Sequence, residues 1–560
     1  MAAPPPERQR LRVETSGTVL RTGSLVVTRT RFPDDRPSSP CPWLPSRREL
    51  LALAGGAGLG AALGGTPAQA QQPQGLGAVI ASVLGEGQRF DHGRVVEVAR
   101  VLARRPFVPP PSDLPDVLSG LTFEQYVSIR ALPQAIVWGG EGRGFVAEPL
   151  HRGFVFTTPV LLFAVEDGIT RRVVYDRSKY DLGRINAPAN LGDIGFSGFR
   201  LHVAGPNGAL NEFALVQGAT FFRAMGRGQN YGVVARALTL RPAEARGEEF
   251  PAFRAFWLER PLAGVSALVV HGLIDSESVS GAVRMTFRPG DMTIVDVETT
   301  LFPRVPLEHV GMGGMGASYL HGGMRRRGGD DVRPSVHDVS GLQMLTGTGE
   351  NLWRPVQNPE TLQISAFLDR NPQGFGLVQR ERDYAQFQDD DQRWERRSSL
   401  WIEPVGEWGQ GAVQLIEIPS DSEVNDNVLA YWRPRNAMPP GAEVAVAYRQ
   451  FWGWAPPVRP PVAIATNSRV GRGGGGRRRR FVVDFTGDTV MAVPLADIRT
   501  VLTAAPGTIP SSRLWLYPDR KTVRVSFELD PGPENASEIR LVLEAAGKPL
   551  TETWLYRWTP

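Results

Sequence analysis

The stretch MTIVDVETTLF (292–302) decides the fold, because β-branched and other apolar residues alternate along it with polar ones. SALVVHGL (266–273) and RRVVYD (171–176) show the same half-alternating pattern. Gly, Pro and Asp residues separate such segments, as expected of turns between sandwich strands. The sequence therefore predicts a mainly β fold, with a large and mostly antiparallel β-sandwich from about residue 76 to 455.

A second, smaller β domain is predicted at the C-terminus, over 481–560. Five short segments of strand composition follow one another there: FVVDF (481–485), RLWLY (513–517), TVRVSFEL (522–529), EIRLVLE (538–544) and TETWLYRW (551–558). This regular spacing is typical of a small immunoglobulin-like β-sandwich.

Between the two predicted domains, the composition changes over 456–480. APPVRPPVA (455–463) is rich in proline, and GRGGGGRRRR (471–480) is rich in glycine and then in arginine. Neither composition suits a helix or a central strand, so we interpret 456–480 as a linker. Arg477–Arg480 would be either a solvated linker end, which charge runs usually are, or a contact for anionic lipid or glucan.

Local sequence signals predict two helices near the start of the large domain. Asp91 can cap a helix that presents Val95, Val98, Val101 and Leu102 on one face, and Pro106 would end it. Thr122 and Gln125 have capping-box spacing. Further along, GMGGMG (311–316) follows no strand-to-helix pattern, and we interpret it as a flexible loop.

The N-terminus has the parts of an export signal in the required order. SRRELL (46–51) is a twin-arginine word, an Ala/Gly/Leu-rich stretch follows, and Ala68-Gln69-Ala70 is a small-x-small cleavage site. A transmembrane anchor is the alternative, but the stretch is too rich in Gly and Ala and falls short of the ~20 apolar residues of a span. Residues 1–70 are thus predicted to be a leader, with Gln71 as the mature N-terminus.

Removing this leader changes the charge balance. Nine of the 62 basic and five of the 58 acidic side chains lie in 1–70, which leaves 53 of each in the mature chain. A formal net charge of zero gives no support for nucleic-acid binding. The single cysteine, Cys41, also leaves with the leader, so no internal disulfide and no cysteine metal site are expected.

The run from His337 to Trp432 has the composition of a sugar-handling cleft. It contains NPQGFGLVQRERDYAQFQDDDQRWERR (371–397) and VNDNVLAYW (424–432). Carboxylates supply proton chemistry, while Trp, Tyr and Arg supply flat faces and forked donors that suit pyranose rings.

The same run resembles a known family, and the shared words are HDVSGL (337–342), GTGENLWRP (347–355), NPQGFGLVQR (371–380), GEWGQGAVQLIEIP (406–419) and NDNVLAYW (425–432). They are similar to words of the periplasmic glucan biosynthesis proteins OpgG and OpgD, also called MdoG and MdoD. SDLPDVL (112–118), GFSGFR (195–200) and GATFFR (218–223) agree, so the resemblance runs from about Phe90 to Trp558. It implies a periplasmic protein that acts on linear β-1,2-glucan, and the twin-arginine leader favours the OpgD branch.

This resemblance also implies a pair of catalytic carboxylates. Some members are inverting endo-β-1,2-glucanases, and their motifs correspond to Asp426 as general acid and Asp338 as general base. Without the family, both would be interpreted as turn or loop carboxylates. The chain departs from the family at Val424, where relatives often have a hydroxyl residue, at Trp394, where they have a tyrosine, and at Asn351, where a tryptophan is frequent.

Candidate glucan-binding residues surround this pair. The candidate sugar platforms are Trp353, Tyr384, Trp394, Trp401, Trp408 and Trp432. Arg380, Arg382 and Asp383 would be either hydroxyl-binding forks or a solvated salt-bridge cluster. The triplet Asp389–Asp391 lacks the spacing of a calcium loop, and the histidines lack zinc spacing, so we expect neither metal nor cofactor.

Two functions without catalysis remain open at the level of sequence. One is a glucan-binding module that passes nascent chains from a membrane synthase to other enzymes. The other is a scaffold whose C-terminal domain holds the synthase complex together. The expected partners are β-1,2-glucan, the membrane glucan synthase and, as a homodimer, a second copy of the chain.

Overall fold

Strands dominate the computed structural model, which describes residues 75–85, 88–205, 208–324 and 330–560. The predicted leader, including the twin-arginine word, the cleavage site and Cys41, lies outside these residues. Within the described ranges, no helix has the length and apolar composition that a membrane crossing requires.

Four α-helices precede most of the strands in the described part of the chain: α1 (Leu76–Leu84), α2 (His92–Ala103), α3 (Asp116–Ser119) and α4 (Phe123–Ser128). The predicted caps are confirmed. Asp91 accepts a hydrogen bond from the Arg94 N–H at 3.1 Å, and Thr122 and Gln125 form the reciprocal capping box. The buried face of α2 packs with α1 on the outer face of the longest sheet.

The strands of the N-terminal half, in chain order, are β1 (Arg130–Ala131), β2 (Phe145–Leu150), β3 (Leu161–Glu166), β4 (Ile169–Val173), β5 (Tyr180–Asp181), β6 (Gly198–Ala204), β7 (Leu210–Gln217), β8 (Phe221–Ala224), β9 (Val234–Arg236), β10 (Thr239–Leu240), β11 (Ala252–Glu259), β12 (Leu268–Asp275), β13 (Val279–Arg288), β14 (Thr293–Pro303), β15 (Val310–Ala317) and β16 (Tyr319–His321). The remaining strands are β17 (Val336–His337), β18 (Gly341–Leu345), β19 (Asn351–Pro355), β20 (Gln363–Arg370), β21 (Gly374–Val378), β22 (Ser399–Val405), β23 (Gln410–Glu417), β24 (Val428–Pro434), β25 (Val444–Gly453), β26 (Ile464–Arg472), β27 (Arg479–Thr486), β28 (Arg499–Ala505), β29 (Thr508–Tyr517), β30 (Thr522–Asp530), β31 (Ser537–Ala545), β32 (Lys548–Pro549) and β33 (Thr553–Trp558).

Two sheets form the large sandwich. One has the order β2-β6-β7-β8-β9-β15-β24-β23-β20, with β10 beside β15. The other includes β19-β18-β21-β22-β25-β14-β13-β12-β11-β3-β4. Their inner faces share one hydrophobic core, in which Phe199 of the first sheet meets Phe256 of the second edge to face at 5.0 Å. The predicted fold class, mainly β with antiparallel sandwich packing, is confirmed.

A smaller pair of sheets follows at the C-terminus. Strands β26-β27-β30-β29 form one sheet, and β28, β31 and β33 form the other side of a separate core that includes Phe481, Phe527 and Trp554. The second of these sheets continues the long sheet, because β33 pairs in parallel with β19. The immunoglobulin type stays a prediction.

Part of the predicted linker is a strand. The proline-rich and glycine-rich words are separated by IATNSRV, which forms most of β26. This strand pairs on one side with β27, so it occupies a sheet edge, where irregular flanking sequence is tolerated. The segment 456–480 therefore differs from a connection without structure.

The prediction of a flexible loop at GMGGMG was wrong, because these residues form β15, which is buried throughout. Its glycines allow close packing by neighbouring strands. A Cβ on Gly311 would lie 2.6 Å from the Tyr431 ring, and one on Gly314 would lie 2.4 Å from the Thr239 hydroxyl. Gly313 has φ +58° at a bulge, a conformation that favours glycine.

Candidate active site

Asp338 and Asp426 meet at the end of β15. Asp338 directly follows β17, whose partner strand β16 begins one residue after Ser318. Asp426 precedes β24, and its Cβ would lie 3.4 Å from a Cβ built on Gly316. The Asp338 carboxylate contacts Ser318, two residues after Gly316, so the two side chains lie beside the same end of β15. The structure thus brings the predicted pair to one place.

The Asp338 carboxylate is buried and held by the backbone. Its Oδ2 accepts a hydrogen bond from the Ser318 N–H at 3.0 Å, and its own N–H donates to the Ser318 carbonyl at 2.8 Å. Burial raises the pKa of Asp338, and the neighbouring Asp426 carboxylate acts in the same direction. The Arg397 and Arg223 guanidiniums and the Ser318 N–H oppose this shift.

Asp426 has a more open environment. Its side chain is 28% exposed, and its Oδ2 lies 3.8 Å from Nη2 of Arg223, which belongs to β8. The flanking asparagines hold the turn: Asn427 is buried and bonds the Tyr319 backbone, while Asn425 donates to the Ser420 hydroxyl at 3.2 Å. In the N-D-N motif, the Asp426 carboxylate therefore lies between two asparagines whose side-chain amides are bonded to the protein.

Sequence reasoning missed two arginines beside this pair. Arg223 is described above, and Arg397 places its Nε 3.5 Å from Asp338 Oδ1. Arg397 also donates to the Tyr231 carbonyl and to Gln392, and its guanidinium lies 4.6 Å from the centre of the Trp394 ring. Arg223 ends the motif GATFFR and Arg397 ends the 371–397 stretch, but neither sequence shows that its arginine lies beside the carboxylate pair.

Most predicted sugar platforms lie in the interior. Trp353, Trp394, Trp401 and Trp432 are buried, and Trp408 packs partly buried against the core. Trp432 belongs to the main core, Trp353 to the C-terminal core and Trp394 to a small cluster with Val336 and Phe387. The role of these rings as sugar platforms stays a prediction. Tyr384 is exposed, and its hydroxyl donates to Asp390 at 3.0 Å. Its role in glucan binding stays a prediction.

The two arginines of QRERD bond to the protein itself. The Arg380 guanidinium donates one hydrogen bond to each carboxylate oxygen of Glu552, at 2.6 and 3.0 Å. Its Cζ lies 3.4 Å from the centre of the Trp353 ring. Arg382 donates to backbone carbonyls, including that of Trp454, and burial lowers its pKa to about 10. The role of both guanidiniums as hydroxyl-binding forks stays a prediction. Asp383 is exposed and caps the 3₁₀ turn at Tyr384–Gln386.

A polar row leads away from Asp426 across one sheet. Glu148 of β2 faces Arg200 of β6, Arg200 faces Leu215 of β7, and Leu215 faces Arg223 of β8. Directly paired residues share a sheet face, so this row spans three strand spacings, about 14 Å.

The far end of the row borders a cavity of about 380 Å³. Tyr126, Arg130, Glu148, Arg200 and Gln217 are among its lining residues, and they supply hydroxyl, guanidinium, carboxylate and amide groups. In the described part of the chain, no three His, Cys, Asp or Glu residues are arranged to hold a metal ion.

Comparison with known proteins agrees with the sequence resemblance. The family model "Periplasmic glucan biosynthesis protein, MdoG" matches residues 90–558. Glucans biosynthesis protein G of Shewanella baltica is 44% identical over 477 residues, which cover 84% of this chain and 87% of that protein. Glucans biosynthesis protein G 1 of Shewanella oneidensis is 43% identical with the same coverage.

A solved α-galactosidase from Geobacillus stearothermophilus matches with a TM-score of 0.24 and 8% identity, over 46% of this chain and 39% of its own. A similarity this low carries no argument. Both curated relatives bear the name of protein G, so the assignment to the OpgD branch, which rests on the leader, stays a prediction.

Proposed function

We propose, from the premise that this chain belongs to the MdoG family of periplasmic glucan biosynthesis proteins, that it is a periplasmic inverting endo-β-1,2-glucanase. Its role in glucan biosynthesis follows from the family, and its periplasmic location is the one implied by the family description. The substrate would be linear β-1,2-glucan, cleaved within the chain.

The pairing of two unlike carboxylates supports this proposal. Glycosidic hydrolysis with inversion uses one carboxyl that protonates the leaving oxygen and another that activates water. Asp426, partly exposed, is accessible to a bound chain, whereas Asp338, buried and hydrogen-bonded to Ser318, would act through water. The Ser318 N–H and Arg397 stabilise the ionised form of Asp338 that a base requires.

Electrostatics alone would permit the opposite division of roles. Burial raises the pKa of Asp338, which favours its protonated form, and Arg223 stands beside Asp426. The resemblance of the N-D-N motif to that of the family supports Asp426 as the acid. A substrate with a good leaving group needs no acid, so Asp426→Asn should keep most of its activity on an activated glucoside and lose it on glucan.

The polar row would guide the glucan. From Asp426 it runs past Arg223 and Arg200 to the cavity at Glu148, and its forked donors suit ring hydroxyls. A linear chain lying along this row would place one glycosidic bond at Asp426.

The decisive experiment measures whether purified mature protein shortens linear β-1,2-glucan. Asp426→Asn should lower turnover by ~10² or more with little change in folding. Asp421→Asn, an exposed carboxylate in the same connection, is the matched control and should keep full turnover. Wild-type turnover in the Asp426 variant would show that the carboxylate assignment is wrong.

One observation favours the second candidate function, a glucan-binding protein without catalysis. The residue two positions before Asp426 is Val424, an exposed side chain without a hydroxyl, and the Trp394 N–H is committed to Asp389 at 2.9 Å. Neither can relay a proton to Asp338. Glucan that binds but keeps its length would favour this function, in which the chain passes nascent glucan from a membrane synthase to other enzymes.

A further inference from the structure

Three loops around the carboxylate pair meet at a single guanidinium. Arg333 Nε and Nη2 donate to Asp331 at 3.0 and 2.8 Å, Nη1 donates to Asp389 at 2.9 Å, and Nη2 also donates to Glu423. We call these four residues the Arg333 clamp. Its members come from the segment before β17, from the 383–397 loop and from the connection between β23 and β24.

Each of the three loops joined by the clamp is connected to the proposed catalytic pair, through the chain or through side-chain contacts. Arg333 lies five residues before Asp338, and Glu423 lies three residues before Asp426. The connection from Asp389 is made by side-chain contacts. Asp389 Oδ2 also accepts the Trp394 N–H at 2.9 Å, and the Trp394 ring lies 4.6 Å from the Arg397 guanidinium. Arg397 in turn stands 3.5 Å from Asp338.

The charge balance makes the clamp depend on its arginine. Among the described residues, three carboxylates bond to this guanidinium, and His321 Nε2 also lies 3.5 Å from Asp331 Oδ2. All four clamp side chains are at most 28% exposed, so water screens their charges incompletely. Hydrogen bonding to Arg333 lowers the pKa of Asp331 well below its ordinary value. Without the guanidinium, the three carboxylates would repel one another and separate the loops. Lysine would restore the charge but not the planar fork of five donors.

We propose that Arg333 is a positioning residue: it touches no substrate, and it fixes the loops of Asp338 and Asp426 at the separation that hydrolysis requires. This inference rests on the proposed function for its catalytic consequence. The joining of the loops is a property of the protein with or without activity.

The test compares Arg333→Gln, Arg333→Lys and the double variant Arg333→Gln/Glu423→Gln. Arg520→Gln is the control, because it removes an arginine from an exposed pair with Asp519. We expect Arg333→Gln to lower kcat on glucan about tenfold or more with little change in KM, since small displacements of reacting groups cost that much. Arg333→Lys should recover part of kcat because it restores the positive charge. The double variant should also recover part of kcat because it removes one of the repelling carboxylates. High salt should also recover part of kcat in Arg333→Gln.

Hydrogen exchange provides the second readout. Amide protection of 383–397 and 419–427 should fall together in Arg333→Gln and stay unchanged in Arg520→Gln. Unchanged protection would overturn the proposal. So would lost protection with wild-type kcat. If the wild type leaves glucan intact, the proposed function fails, and the exchange result alone then decides whether Arg333 joins the loops.

Discussion

The side-chain amide of Asn427 bonds both backbone groups of Tyr319: its oxygen accepts the Tyr319 N–H at 2.8 Å, and its nitrogen donates to the Tyr319 carbonyl at 3.0 Å. The same nitrogen donates to the Ile418 carbonyl at 3.0 Å. One amide thus fixes the residue after Asp426 to the strand that pairs with the residue before Asp338. The separation of the two carboxylates depends on this link.

Replacing Asn427 by alanine should therefore destabilise the protein and impair the site. The change leaves buried backbone groups without partners, which costs about 1–3 kcal/mol of unfolding free energy. Urea unfolding measures the loss. Asn425→Ala is the matched control, because the Asn425 side chain is only partly buried and donates to the Ser420 hydroxyl, so its removal should cost less stability. Equal losses in the two variants would contradict the role given to Asn427.

Asp338→Asn should change how stability depends on pH. Burial raises the folded-state pKa of Asp338, so the folded protein binds this proton more tightly than the unfolded chain does. The stability contribution of the group is then complete below the unfolded pKa of about 3.9 and is lost as pH rises through the folded pKa. Asparagine cannot ionise. Relative to wild type, the variant should gain stability as pH rises from about 4, the unfolded pKa, to the raised folded pKa of Asp338. A difference in unfolding free energy that stays constant over this range would refute the prediction.

Arg380→Ala should destabilise the protein without a direct effect on glucan affinity. Its partner Glu552 is fully buried, and an uncompensated buried charge costs about 3–5 kcal/mol. Arg380→Ala/Glu552→Gln should recover part of this loss. Denaturant unfolding measures the change in stability. Glucan titration at denaturant concentrations below the unfolding transition measures the affinity. Weaker glucan binding at unchanged stability would support the interpretation of Arg380 as a hydroxyl-binding residue.

Local features of the fold could be predicted from the sequence, and long-range packing could not. The caps at Asp91 and Thr122 use bonds within three residues, so their spacing reveals them. The glycines of β15 are required by Tyr431 and Thr239, which approach from other strands, and no local pattern shows this. For Trp432, likewise, the sequence does not distinguish a tryptophan packed in a core from one that lines a cleft.

The candidate site divides in the same way. Asp338 and Asp426 were found through family motifs, which are contiguous words. Arg223, Arg333 and Arg397 act through charges that only folding brings near the pair. Arginine is frequent in this chain, so composition could not single them out.

The last prediction concerns the product. If the proposed mechanism holds, the new reducing end should first appear with inverted anomeric configuration. A retaining enzyme needs a carboxylate close enough to attack the sugar, with about 5–5.5 Å between the pair, whereas an inverting pair is ~6.5–9.5 Å apart and leaves room for water. Asp338 is buried and its Oδ2 accepts the Ser318 N–H, so Oδ1, 3.5 Å from Arg397 Nε, is the oxygen that would activate water. Polarimetry of fresh product, followed by base to complete mutarotation, gives the sign of the change. Asp421→Asn should give the same sign as wild type. Product with retained configuration would exclude direct water activation by Asp338 as the general base and would indicate a retaining mechanism instead.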